Sequence, residues 1–221
     1  VIIQDGLRRM YQEQEDIYYY ITVMNENYPH PEMPVGVEKN ILKGMYLFSE
    51  GSKNKDKFHV QLLGAGTILR EVIAAAAILK KEYHVNADIW SVTSFNELRR
   101  EALSVTRWNM LHPAQAAKVS HVEDCLKGRE GPVVAATDYM KIYADQIREF
   151  VPGRYLVLGT DGFGRSDTRE KLRRFFEVDR FYITVAALKA LSEEGKISSQ
   201  QVDQAIQKYG IDPEKPNPAI S

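Results

Sequence analysis

A mostly parallel sheet with helices on both faces is the fold class that the sequence predicts, and two observations predict it. From Phe58 onward, short apolar runs alternate with segments of helical spacing, which is the pattern of βα units. Glycines follow two of the apolar runs, at their carboxyl ends. Sheets of this class hold ligands at that edge.

Taken in order, Phe58–Leu63 is strand-like, and Thr67–Tyr83 carries Ile68, Val72, Ala75, Ala76 and Leu79 on one helical face. Asp88–Val92 is the next strand, and Ser94 with Glu97 has the spacing of a capping box that opens a helix. Pro132–Ala136 is a third strand and 138–150 a helix. Tyr155–Gly159 is a fourth strand, followed by a short helix over 168–176. A further helix is expected over 181–191, with a strand as the alternative given its β-branched start, and a terminal helix over 200–209 capped by Ser198 and Gln201.

Residues 1–50 read differently. Gly6–Tyr11 is a helix end, and Ile17–Val23 (IYYYITV) is aromatic and β-branched, so it predicts a strand buried on both faces. Prolines at 29, 31 and 34 make the next stretch irregular, and a short helix is expected at 37–43. The polar stretch Ser49–Lys57 predicts a linker, assigned to residues 51–57. The chain also begins at Val1 within an apolar run, without Met, so it is expected to be a piece of a longer polypeptide.

Of 221 residues, 27% are charged and the net charge is −1. That balance gives no bulk attraction to nucleic acid or an anionic membrane. No apolar run approaches the ~20 residues of a membrane span. Cys125 is the single cysteine, which excludes an intrachain disulfide and fits a reducing, cytoplasmic location. No His/Asn signature accompanies it to suggest a catalytic thiolate.

The turn Gly64-Ala65-Gly66 tests as a dinucleotide fingerprint and fails. A packing glycine is needed where Leu69 stands. An acid is needed at the end of the second strand, where Ser91, Val92 and Thr93 stand. The second glycine loop, Gly159–Asp167, could hold an anion through backbone amides, Arg165 and Ser166. Against that, Asp161 and Asp167 flank it and no G-K-[ST] follows. The simpler reading is a sharp turn capped by Asp167. The five histidines show no metal-ligand spacing. His112, beside Trp108 and Pro113, is the most suggestive of them. No G-x-S-x-G elbow and no carboxylate pair stands out.

The words of the sequence carry more than its glycines. VIIQDGLRRMY, YYYITVMNENYPHPEMP, SVTSFNEL, RWNMLHP, AATDYMKIYADQIREFVP and VLGTDGFGRSDTREKLRRFFEVD together resemble the homodimeric type of decarboxylating component of bacterial pyruvate dehydrogenase complexes. The resemblance covers essentially the whole chain. From Phe58 it is also similar to the carboxy-terminal domain of transketolases. It implies a three-layer domain over 58–221, preceded over 1–50 by the tail of a middle, pyrimidine-binding domain.

The resemblance further implies an enzyme that uses thiamine diphosphate and magnesium, decarboxylates pyruvate and acetylates a lipoyl group of the acetyltransferase component. In that family the cofactor, metal and catalytic ligands belong to other segments, so none is assigned here. The expected work of this chain is architectural, packing on the rest of its own polypeptide and supporting a homodimer. Asn25, Glu26, Asn27, Tyr28, His112, Gly162, Gly164, Arg165 and Ser166 remain candidates for contacts at the active-site entrance or with a partner. An autonomous binding or regulatory module on the same scaffold is the alternative.

Overall fold

The computed structural model describes residues 1–52 and 58–221. The linker expected at 51–57 therefore falls mainly on 53–57, outside the described residues. Helix α1 (Ile2–Leu7) runs into one π-helical turn, Arg8–Gln12. Then follow α2 (Glu38–Lys43), β1 (Met45–Ser49), β2 (His59–Ala65), α3 (Leu69–Tyr83), β3 (Asn86–Val92), α4 (Phe95–Leu111) and α5 (His121–Leu126). Next come β4 (Val133–Ala136), α6 (Lys141–Asp145), β5 (Tyr155–Leu158), α7 (Arg169–Phe175), α8 (Arg180–Glu193) and α9 (Ser199–Lys208).

The strands form one five-stranded sheet in the order β1-β3-β2-β4-β5. Only β1 is antiparallel, on β3. The others pair in parallel, with Leu62 opposite Ile89 on one side and Val134 on the other. Alternate residues point to opposite faces of a strand. Val60, Leu62, Ile89 and Val134 accordingly join Val72, Leu79, Ile183 and Leu188 in one core layer. Leu63, Trp90, Val133 and Ala135 join Leu98, Val122, Leu126 and Phe150 in the other. Because both faces are covered, these strands are mainly apolar, with Gln61, Asn86, Asp88 and Ser91 as buried polar exceptions.

The predicted strands and long helices are present to within a few residues. Three local expectations change. Ile17–Val23 is not a strand buried on both faces. It has no regular structure, with Tyr18 and Tyr20 each 87% exposed while Ile17 and Tyr19 are half-buried. A strand needs neighbours for its amides, and among the described residues none pairs with it. The helix expected over 138–150 is a five-residue helix followed by a 3-10 turn, Arg148–Phe150. Ser94 caps α4 by accepting from the Glu97 amide, but the Glu97 carboxylate turns to Arg100 instead of closing the box. Two elements were not expected. Met45–Ser49 forms β1, and α5 opens with a reciprocal capping box between Ser120 and Glu123.

Candidate functional site

The sheet has a switch point between β2 and β4. From β2 the chain returns through α3 to β3, then crosses beneath β2 to β4. Such crevices are the ligand positions of doubly wound sheets, and the Gly64–Gly66 turn lies there. Gly64 is fixed by packing, since a Cβ would sit 2.8 Å from the Leu69 Cα. Leu69 thus does not exclude a tight turn, because Gly64 itself provides the close approach. Gly66 has φ +55° and faces the carboxylate of Asp138, two residues past the end of β4. The Thr67 hydroxyl donates to that carboxylate at 3.4 Å, and the Thr160 hydroxyl donates to the Asp138 carbonyl at 2.7 Å. The crevice therefore presents a carboxylate where a diphosphate would need donors.

The second glycine loop is tied down rather than poised. Gly162 has φ +108°, and a Cβ there would meet the Pro218 carbonyl at 2.1 Å, so the carboxy-terminal tail packs directly on it. Asp161 accepts from the Lys141 amide at 3.2 Å. Arg165 lies over the Phe175 ring at 4.4 Å, while Gly164 and Ser166 are exposed. The cap of α7 is Thr168, whose side chain accepts from the Lys171 amide, and not Asp167, which accepts from the adjacent Thr168 amide at 2.7 Å. No set of donors converges for an anion in this loop.

Three of the amino-terminal candidates do come together. Residues 13–34 form an irregular strap without helix or strand, and its segment Asn25–Tyr28 lies on α3 and α7. Arg169 donates to Asn25 at 3.1 Å and pairs with Glu26 at 3.5 Å. The Tyr28 hydroxyl donates to Glu26. Arg70 stacks on the Tyr28 ring at 4.3 Å, and Arg173 lies 5.7 Å from it and donates to its hydroxyl at 3.3 Å. Asn27 is exposed and makes none of these contacts.

Behind the strap sits a buried acid, Glu71, 5% exposed. It pairs with Arg180 at 2.9 Å, takes the Arg180 amide at 3.0 Å, and pairs with Arg173 at 3.4 Å. Burial pushes its carboxyl upward, but Arg180 outweighs that and holds it below the ordinary glutamate value. Arg173 is thus shared between the Glu71 carboxylate and the strap tyrosine, which couples the strap to the α3–α7–α8 corner. The sequence reading missed Arg70, Glu71 and Arg173. One signal was available: Glu71 falls between Ile68, Val72 and Ala75 on the buried face of α3, where an acid needs a partner.

His112 lies elsewhere, at the far end of α4, whose 17 residues span about 26 Å. Its ring stacks on Trp108, with centroids 4.4 Å apart, and Nδ1 lies 2.8 Å from the Trp108 carbonyl oxygen. Lys118 covers the other face of the indole at 4.0 Å. These contacts close α4 and hold the following loop. Cys125 is half-buried beside His121, with its thiol pushed up to about 11 by burial, so it is protonated at neutral pH.

Among the described residues no group of three His, Cys, Asp or Glu side chains could hold a metal ion. With Asp138 at the switch point and no converging donors in the Gly159–Asp167 loop, these residues do not fit thiamine diphosphate or its magnesium. No helix among the described residues is long and apolar enough to cross a membrane.

Sequence comparison assigns residues 44–179 to the transketolase-like C-terminal domain family. Residues 1–31 match the middle domain of the pyruvate dehydrogenase E1 component. The chain is 63% identical over 218 residues to the pyruvate dehydrogenase E1 component of Cupriavidus necator, covering 99% of this chain and 24% of that protein. It is 62% identical over 219 residues to the same component of Pseudomonas aeruginosa, covering 99% of this chain and 25% of that protein. It therefore spans about a quarter of the length of these relatives. A solved transketolase from Leishmania mexicana superposes on 70% of the chain and 19% of its own, at 16% identity and a TM-score of 0.47. The chain belongs to the transketolase-like C-terminal domain family, and the sequence that precedes this domain matches the middle domain of pyruvate dehydrogenase E1 components.

Proposed function

We propose that this chain is the carboxy-terminal part of a pyruvate dehydrogenase E1 component, and that its work there is to carry and orient the middle domain. The observation that supports this reading most directly is the strap. Residues 25–28 belong to the middle-domain match, and Arg70, Arg169 and Arg173 of the following domain grip them. The two modules are thereby joined by charge-assisted contacts and not by chain continuity alone.

On this reading residues 1–50 complete the middle domain, 58–221 form the carboxy-terminal domain, and 51–57 link them. Thiamine diphosphate and magnesium belong to the rest of the polypeptide, where the cofactor supplies the electron sink for decarboxylating pyruvate. The residues of this chain bind no reacting atom. Glu71 and Arg173 position Tyr28 and so fix the direction in which the middle-domain tail leaves this domain. Homodimerisation, transfer of the acetyl unit to the lipoyl group of the acetyltransferase, and work in the cytoplasm follow from the same assignment.

The test is carbon dioxide release from pyruvate, measured with thiamine diphosphate and magnesium present. The full-length parent is expected to be active and this 221-residue chain inactive. Arg173→Ala in the parent should lower the rate without abolishing it. An inactive parent contradicts the enzyme assignment. A parent untouched by Arg173→Ala contradicts the positioning role.

A further inference from the structure

Where the strap lands, three guanidiniums converge from two helices. Arg70 on α3 stacks on the Tyr28 ring at 4.3 Å, and Arg173 on α7 lies 5.7 Å from the same ring. Arg169, one turn before Arg173 on α7, reaches Asn25 at 3.1 Å and Glu26 at 3.5 Å. Against these three the strap sets one carboxylate, Glu26, which also accepts from the Tyr28 hydroxyl. Arg70 has no ion pair or hydrogen bond among the described residues. The other acids nearby are engaged. Glu71 is shared between Arg180 at 2.9 Å and Arg173 at 3.4 Å, Glu170 acts on Arg180, and Asp167 pairs with Lys171 at 3.8 Å. The cluster, Arg70 above all, keeps positive charge that the strap leaves unmatched.

The chemistry that matches this cluster is a chain of phosphates. A guanidinium donates two parallel hydrogen bonds to a phosphate, and several phosphates in a row serve several guanidiniums. The strap offers less: Glu26 is a single fork and Tyr28 a neutral hydroxyl. Among the described residues no group of carboxylates gathers to hold a metal ion, so guanidinium alone meets the phosphate charge. We propose that Arg70, Arg169 and Arg173 form a polyphosphate-binding site for which the strap segment Asn25–Tyr28 competes. Both use the same three side chains, so ligand binding and strap docking exclude one another. By linkage, whatever loosens the strap tightens the ligand, and the ligand loosens the strap by the same factor. The exclusion rests on the strap contacts and does not require the enzyme reading.

The test is titration calorimetry of this chain with inorganic tripolyphosphate, at constant ionic strength and with a chelator present. The expected dissociation constant is on the order of 100 µM, raised at least about tenfold in Arg70→Ala/Arg169→Ala. Arg99→Ala/Arg107→Ala removes as much charge from exposed positions outside the cluster and should leave it unchanged. Tyr28→Ser alters no charge and should tighten binding at least about fivefold by weakening the competing strap, a gain that misfolding could not give. Saturating tripolyphosphate should in turn speed cleavage after Glu26 by a glutamate-specific protease. A nucleoside triphosphate bound no tighter than tripolyphosphate assigns the site to phosphate alone, and one bound tighter adds the nucleoside to the ligand. No binding up to about 10 mM overturns the proposal. So does equal weakening in the two double variants, no gain in Tyr28→Ser, or cleavage that the ligand leaves unchanged. None of these results touches the carbon dioxide release that tests the enzyme assignment.

Discussion

Two stretches of this molecule both read as strands in the sequence and have opposite fates. Val60–Leu63 in β2 (VQLL) is a short, mainly apolar run, and Ile17–Val23 in the strap (IYYYITV) is the one richer in aromatic and β-branched residues. In β2, Leu62 and Leu63 are fully buried, one in each core layer, between parallel neighbours on both sides. In the strap, Tyr18, Tyr20 and Val23 stand in solvent and no ladder forms among the described residues. The difference teaches that β-propensity measures fitness for a half-buried pleated surface and does not create one. The strap is written for a sheet that the described residues do not contain.

The largest effect should separate these stretches energetically. Leu62→Ala is expected to cost about 2–5 kcal/mol by cavity formation. Tyr18→Ala in this chain should stay within about 0.5 kcal/mol. Urea unfolding of both variants checks this, and equal costs would dissolve the contrast. The buried acid comes next. Glu71→Ala strands Arg173 and Arg180 in a partly dry corner and should cost about 2–3 kcal/mol. It should also loosen the strap, read as faster cleavage after Glu26 by a glutamate-specific protease.

A pH effect of similar or smaller size is expected at the opposite edge of the sheet. Asp88 is 3% exposed and faces His59 at 3.1 Å, Arg129 at 3.2 Å and the Gly51 amide at 2.8 Å. Burial raises its pKa, but the adjacent His59 imidazole and the hydrogen bond from the Gly51 amide outweigh this and hold it at about 2, against an ordinary 3.8. A lowered folded value stabilises above the unfolded value and is lost as protons bind. The contribution, at most about 2 kcal/mol, is therefore complete above pH 4 and disappears as pH falls toward 2. Acid unfolding followed by circular dichroism should show this loss, and Asp88→Asn should flatten it. The smallest effect belongs to the strap clamp. Arg70→Ala removes the stacking on Tyr28 and should cost about 0.5–1 kcal/mol of docking, again visible as faster cleavage after Glu26 with the global unfolding midpoint unchanged.

What the sequence disclosed follows from the range of each interaction. Local signals were readable. The helical spacing of α3 gave its buried face, and Ser198 with Gln201 does form the expected capping box. The Ser120–Glu123 box was equally readable and was passed over, because α5 is only six residues long. Signals that depend on a second strand were not readable. Nothing around Gly66 announces that Asp138 will stand opposite, since the two are brought together by the β2–β4 pairing. Nothing in MYLFS says that it will edge the sheet antiparallel to β3. At the candidate site, Asn25, Glu26 and Tyr28 were legible as a group, but their partners lie more than forty positions away, at Arg70, Arg169 and Arg173. His112 was singled out for its neighbours, and one of them, Trp108, turned out to be its stacking partner.

The central claim is that the strap's strand-forming residues are sheltered by a larger polypeptide and not by this chain. Hydrogen exchange of the amides of residues 17–23, compared between this chain and the full-length parent, tests it most directly. The account predicts exchange near the unprotected rate in the chain and slowing by at least about a hundredfold, some 2.7 kcal/mol of local stability, in the parent. Amides already protected in the chain, or open in both proteins, would contradict it.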